Sequence, residues 1–145
     1  MSYSFIIVTL IAFIIAQASK FLIKANHLKL SWRSLFAYSG MPSSHAAATV
    51  SLTTLLGLKL GFNSPFFAIM LFISIIVLRD AVGLRRYIGA QGEVINDLVK
   101  DLENSDEINE TYPKMKERVG HTKKQVLAGA ILGFIIALLA NFIKF

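Results

Sequence analysis

The 145-residue chain has no cysteine, which excludes disulfides and thiolate-bound metals and leaves the redox compartment open. Charge is scarce too. Only 17% of residues are Asp, Glu, Lys or Arg, against 54% hydrophobic, and the mean hydropathy is +0.59. A soluble domain of this size carries more charge and fewer apolar side chains. The length suits one domain, residues 1–145, without a separate module. Acidic residues number 9 against 15 basic ones, a net charge of +6. Such an excess suits nucleic acid or a membrane, and the apolar content selects membrane lipid as the partner, with no nucleic acid.

What the chain does have is long stretches without charge. From Tyr3 to about Ser19 there is none until Lys20. From Ala46 to Leu78 the only charge is Lys59, across 33 residues. As one helix that stretch would be about 50 Å long, well beyond a hydrocarbon core of about 30 Å, so it must fold back. "GFNSP", Gly61 to Pro65, supplies the break. A last apolar run extends from about Gln125 to Ile143. The pattern predicts an all-α integral membrane bundle of four transmembrane helices, over about 3–23, 44–60, 65–84 and 121–143. "AQA", Ala16 to Ala18, resembles a signal-peptidase site, but "MSYS" lacks the positive charge of a leader, so the first run is counted as a helix.

With four crossings, the end of helix one, the start of two, the end of three and the start of four share a face. Thirteen of the basic residues fall on that face, and only Lys59 and Lys144 on the other. By the positive-inside rule the crowded face is cytoplasmic and both termini lie outside, in what we expect to be a bacterial plasma membrane. The longest connection, about 87–118, contains Val94, Ile95, Leu98, Val99 and Leu102 at helical spacing. An amphipathic helix is therefore predicted over about Ala90 to Glu103, either on the membrane surface or capping the bundle. Glu93, Asp97 and Asp101 lie four apart on its polar side; they are read as a solvated face rather than a metal site. The "ENSDEINETYP" run after it reads as a loop.

Polar residues gather at that same layer. "YSGMPSSHAAATV" places Ser43, Ser44 and His45 at the start of helix two, and Gly120, His121 and Thr122 precede helix four. Arg79, Asp80, Arg85 and Arg86 leave helix three, while Gln17, Lys20 and Lys24 share one face at the end of helix one. Helix N-termini present unpaired N–H groups and the positive end of the helix dipole, which favours an anion. Arginine binds phosphate bidentately and lysine adds a point charge. Two histidines add chemistry that binding does not need, since one imidazole can attack phosphorus while the other protonates the leaving oxygen. Plainer roles exist for the same residues. Ser43 or Ser44 can be an N-cap, the basic residues can set topology or touch headgroups, and His27 reads as merely interfacial.

These blocks resemble the type 2 phosphatidic acid phosphatase superfamily, which includes lipid phosphatases and vanadium haloperoxidases. "PSSH" is similar to its P-S-G-H motif, and "HTKKQ" stands where it has H-x-x-x-D. "GMPSSHAAATVSL", "RDAVGLRR", "GAQGEVIN" and "GHTKKQVLAGAILG" look closer to its divergent bacterial and plant branch. The resemblance implies a phosphohistidine intermediate with no cofactor and no metal. By position it makes His121 the nucleophile and His45 the general acid. Phosphate would be bound by Arg79, Arg85 and Arg86, helped by Lys20 or Lys24 and by Ser43 and Ser44.

The chain also differs from that pattern. It lacks the superfamily's first motif, and Lys114 and Met115 stand where the third has Ser-Arg. Gln125 replaces the aspartate that orients the nucleophile. Its carbonyl can accept an imidazole N–H and fix the tautomer, but cannot stabilise an imidazolium as a carboxylate does. Asp80 either substitutes from helix three or pairs with an arginine. "GAILG", Gly129 to Gly133, permits close helix approach, internally or across a homodimer. The expected function is a membrane-embedded, metal-independent hydrolase of a lipid phosphate or diphosphate. The alternative is a non-catalytic anionic-lipid-binding or scaffold protein that keeps the pocket. Vanadium-dependent halide oxidation fits a lipid-facing pocket poorly, and transport is disfavoured because no ionisable residue other than Lys59 lies toward mid-membrane.

Overall fold

The computed structural model describes residues 2–23, 40–104, 112–117 and 119–143. Lys24, His27 and Arg118 lie outside them, as does most of the loop after the amphipathic segment. The described residues form an all-α membrane bundle. Its helices are α1 (Ser2–Leu22), α2 (Ser44–Leu60), α3 (Pro65–Val82), α4 (Leu84–Asn104) and α5 (Lys123–Phe142). Three helical stretches are long and apolar enough to cross a membrane: Tyr3–Leu22, Pro65–Glu103 and Lys123–Phe142.

The fourth member of the bundle, α2, is the hub, packed against α1, α3 and α5. Its neighbours screen it from lipid, which is why it can carry Ser51, Thr53 and Gly57 among its buried residues. Small side chains let the helices close on it. On α1 the ridge Val8, Ala12, Ala16, Lys20 is buried at a spacing of one turn. On α5 the buried stripe is Val126, Gly129, Gly133 and Ala137. A Cβ at Gly129 would collide with the Ser43 carbonyl, and one at Gly133 with that of Ala47. "GAILG" therefore packs inside the bundle, which resolves the choice between internal and dimer packing for this motif.

The turn between α2 and α3 forms as "GFNSP" predicts. Gly61 takes φ 88° and donates its N–H to the Gly57 carbonyl at 3.0 Å, and Pro65 opens α3. Across the pair, the Thr53 and Ser74 hydroxyls bond at 2.7 Å, tying α2 to α3. One apolar cluster, Val8, Leu55 and Ala137, lies at the far end; another, Ala46, Ala81 and Val126, lies beneath the polar layer.

Two features of the connection differ from expectation. The amphipathic helix begins at Leu84 rather than near Ala90, emerging from α3 across Gly83. It does not cap the bundle, because its helix contacts are principally with α3. Instead the chain returns along it. Asn96 donates to the Met115 carbonyl at 3.0 Å and accepts from the Met115 N–H at 2.8 Å. Gly89 and Gly92 leave room for the backbone of Glu117 and Lys116. This return segment carries the chain back to the start of α5.

Candidate active site

Four chain segments meet at one end of the bundle. Lys20 ends the buried ridge of α1 and is only 1% exposed. Ser43 caps α2, its hydroxyl accepting the Ala46 N–H at 3.4 Å, while its own N–H donates to the Gln125 carbonyl at 3.0 Å. The first turn of α5 is thereby stitched to the start of α2. Ser44 is buried on the first residue of α2, and the ring of His45 next to it meets Phe13 edge to face at 5.7 Å. Phe13 and Lys20 are seven apart on α1, so one face of that helix serves both.

His121 is positioned by its backbone. Gly83 interrupts the helical hydrogen bonding between α3 and α4, and the Ala81 carbonyl accepts the His121 N–H at 2.9 Å. Gly120, at φ 91°, lies so close to the backbone of Arg85 and Arg86 that a Cβ would sit 2.8 Å from the Arg86 nitrogen. Only glycine combines that conformation with that approach. The imidazole itself is 6% exposed, and among the described residues neither Nδ1 nor Nε2 has a hydrogen-bond partner. Burial, followed by the charges of Lys20, His45 and Arg85, lowers its pKa from 6.5 to about 4. At neutral pH it is an uncharged imidazole with a free lone pair. A buried ring left with both nitrogens unpaired is a costly arrangement that a ligand or water would relieve.

The expected residues are not all brought to that ring. Of the three arginines, Arg85 lies close enough to act on the charge state of His121, whereas Arg79 and Arg86 are exposed and do not. Asp80 accepts from Arg85 Nε at 2.6 Å, so of its two readings the ion pair is the one formed. Gln125 needs correction as an orienter of the nucleophile. Its side-chain oxygen accepts the Thr122 N–H at 2.8 Å, and the Thr122 hydroxyl accepts the Gln125 N–H at 3.3 Å. That is a capping box, which satisfies two orphan N–H groups at the start of α5, and the Gln125 side chain makes no hydrogen bond to His121. Ser43 likewise uses its hydroxyl and N–H within the fold. Among the described residues no group of His, Asp and Glu side chains gathers as a metal site, Glu93, Asp97 and Asp101 included.

Sequence reasoning missed the capping role of Thr122, and missed Phe13, Ala81 and Gly83. For Thr122 the signal was present, since Thr-x-x-Gln before an apolar run is the capping-box pattern. The other three act through backbone or ring packing and carry no spacing signature.

What the layer can do chemically follows from its parts. It offers a neutral buried imidazole, a second imidazole, a buried lysine and an arginine held by a carboxylate, beside the N-terminus of α2. That set suits a tetrahedral phosphoryl group, with cations for its oxygens and a nucleophile within the same layer.

No solved structure matches this chain. It is similar to a protein of Bacillus subtilis (strain 168) described as the uncharacterized membrane protein YuiD. The two are 35% identical, with 76% of this chain and 75% of the relative covered. The family model described as "Divergent PAP2 family" matches residues 1–136, taking in His45 and His121, the Gly83 break and the glycines of α5. This multi-pass membrane chain therefore belongs to the divergent PAP2 family.

Proposed function

We propose that the protein is a membrane-embedded phosphatase that hydrolyses a lipid phosphate or diphosphate, with His121 as nucleophile. The observation that carries this reading is the buried His121 imidazole, unpartnered at both nitrogens and within reach of the charges of Lys20, His45 and Arg85. In the first step an imidazole nitrogen attacks phosphorus and the bond from phosphorus to the lipid oxygen breaks. As general acid, His45 gives a proton to that leaving oxygen. Water then attacks the phosphohistidine while His45 takes a proton back, the P–N bond breaks, and phosphate leaves with both histidines restored. Arg85 and Lys20 balance the phosphoryl oxygens throughout. Headgroup depth suits an amphiphilic phosphate, and the charge bias of the sequence supports a cytoplasmic side for the site.

A second reading has its own support. Gln125 and Asp80 are both engaged elsewhere, and among the described residues no carboxylate or amide holds the second nitrogen of His121. Such a pocket would bind anionic lipid without turnover. His121→Asn separates the two readings. If the protein is a phosphatase, the substitution abolishes phosphate release from detergent-dispersed lipid phosphates while binding to vesicles containing them persists. A wild-type protein that binds but releases nothing supports the binding protein.

A further inference from the structure

Much of the apolar face of α4 is exposed, with Ile95 and Val99 also bordering the cleft against the return segment. Taken at 100° per residue, Leu84, Ile88, Ile95, Leu98 and Leu102 run along one line of the helix. Tyr87 and Val94 widen it on one side and Val99 on the other, to an arc of about 140°. Exposure along the arc runs from 71% at Tyr87, 67% at Leu84 and 58% at Leu98 to 42% at Ile95 and 39% at Leu102. Glu93, Asp97 and Arg86 occupy the opposite side, and Asp101 adjoins the arc beside Val94. The flank between, with Gly89, Gly92 and Asn96, is where the return segment docks. The described residues thus cover one flank of α4, with Val99 and Ile95 at its border, and leave the rest of the apolar arc exposed.

The position of α4 along the chain says what covers that arc. The helical run Pro65–Glu103 is 39 residues. At about 1.5 Å per residue it would be roughly 58 Å long, nearly twice a hydrocarbon core. The 18 residues of α3 already cross about 27 Å. The helix break at Gly83 therefore falls at the bilayer boundary, and α4, with its seven charged residues, starts there. The surface continuous with its first turn is the lipid-facing side of α3.

We infer that α4 lies in the plane of the bilayer at headgroup level, its apolar arc inserted among the lipids beside the candidate active site. A second copy of the chain fits the arc less well. A paired-helix seam buries a narrow stripe, which would leave Tyr87 and Val94 uncovered. A lipid surface covers the whole arc, and Tyr87 at its edge is the side chain favoured at that depth. Because Gly120 packs on the backbone of Arg85 and Arg86, the lipids under α4 sit next to His121. This inference is independent of whether the site hydrolyses anything.

The absence of native cysteine makes the test direct. Single variants Ile95→Cys, Leu98→Cys, Glu93→Cys and Asp97→Cys of the full chain would carry nitroxide labels in phosphatidylcholine–phosphatidylglycerol vesicles. Ile76→Cys on the exposed side of α3 serves as the lipid reference. Accessibility to oxygen and to a water-soluble nickel chelate is then measured for each. The expected result is a ratio of oxygen to nickel accessibility severalfold higher at Ile95 and Leu98 than at Glu93 and Asp97, approaching that at Ile76. Nickel accessibility at Ile95 and Leu98 equal to that at Asp97 would place the arc in water and overturn the inference. Exclusion of both reagents with spin–spin broadening would put a second copy there, and would overturn it as well.

Discussion

Gly129→Ala tests the feature that holds the candidate active site together. The new methyl group would meet the Ser43 carbonyl, with the Ser43 nitrogen at 3.0 Å and the Ala46 Cβ at 3.1 Å. All three belong to the start of α2, so α5 must back away. Overpacking of this kind costs about 1–3 kcal/mol. Separation also weakens the hydrogen bond from Ser43 N–H to the Gln125 carbonyl, about 1 kcal/mol. Replacing glycine in a helix returns about 1 kcal/mol. The net is a loss of about 1–3 kcal/mol, or roughly 3–10 °C in Tm for a chain of this size. The assay is thermal unfolding of the purified protein in detergent, at two protein concentrations. Ile131→Ala, on an exposed side of the same helix, is the control and should change stability little. An unchanged or raised Tm for Gly129→Ala would refute the close approach of α5 to α2. A loss that grew on dilution would show that the glycines pack between copies instead.

Other predictions follow from the same geometry. His121 titrates in the fold at about 4, below its ordinary 6.5, so the unfolded chain binds a proton across that interval while the fold does not. Stability is thus intact above about pH 6.5, falls as the pH drops toward 4, and is flat below; denaturant titrations should show His121→Asn to be less acid-sensitive. For the same reason the acid limb of kcat/KM in the free enzyme should lie well below pH 6.5, and a limb at 6.5 or above would contradict the burial of the ring. Gly83→Ala brings a Cβ to 2.9 Å from the Arg79 carbonyl, strains the break that leaves Ala81 to hold His121, and should lower phosphate release more than vesicle binding. Asn96→Ala removes the anchors of the return segment, and limited proteolysis over residues 112–117 should accelerate severalfold.

Much of this arrangement is legible in the sequence. Charge-free runs mark the crossings, "GFNSP" marks the fold-back, and the concentration of polar residues at four helix ends marks the site. The buried layer is less legible because much of it is made by backbone. The Gly83 break and the Ala81 carbonyl have no side-chain signature, and the i, i+3, i+7 set of Gly89, Gly92 and Asn96 looks like the polar flank of any amphipathic helix. Gln125 shows the opposite failure. Its offset from His121 suggested an orienting role, while its offset from Thr122 fixed a competing one. The nearer pair of orphan N–H groups prevails, since a helix start left uncapped costs about 1 kcal/mol.

The most direct test of the central claim is phosphate release by the wild-type chain in detergent with EDTA present, from phosphatidate, phosphatidylglycerophosphate and polyprenyl phosphates, beside His121→Asn. The account predicts release from at least one of these lipids without metal, and none from the variant. Release that survives in His121→Asn would contradict it, as would a folded wild-type protein that binds these lipids and liberates no phosphate.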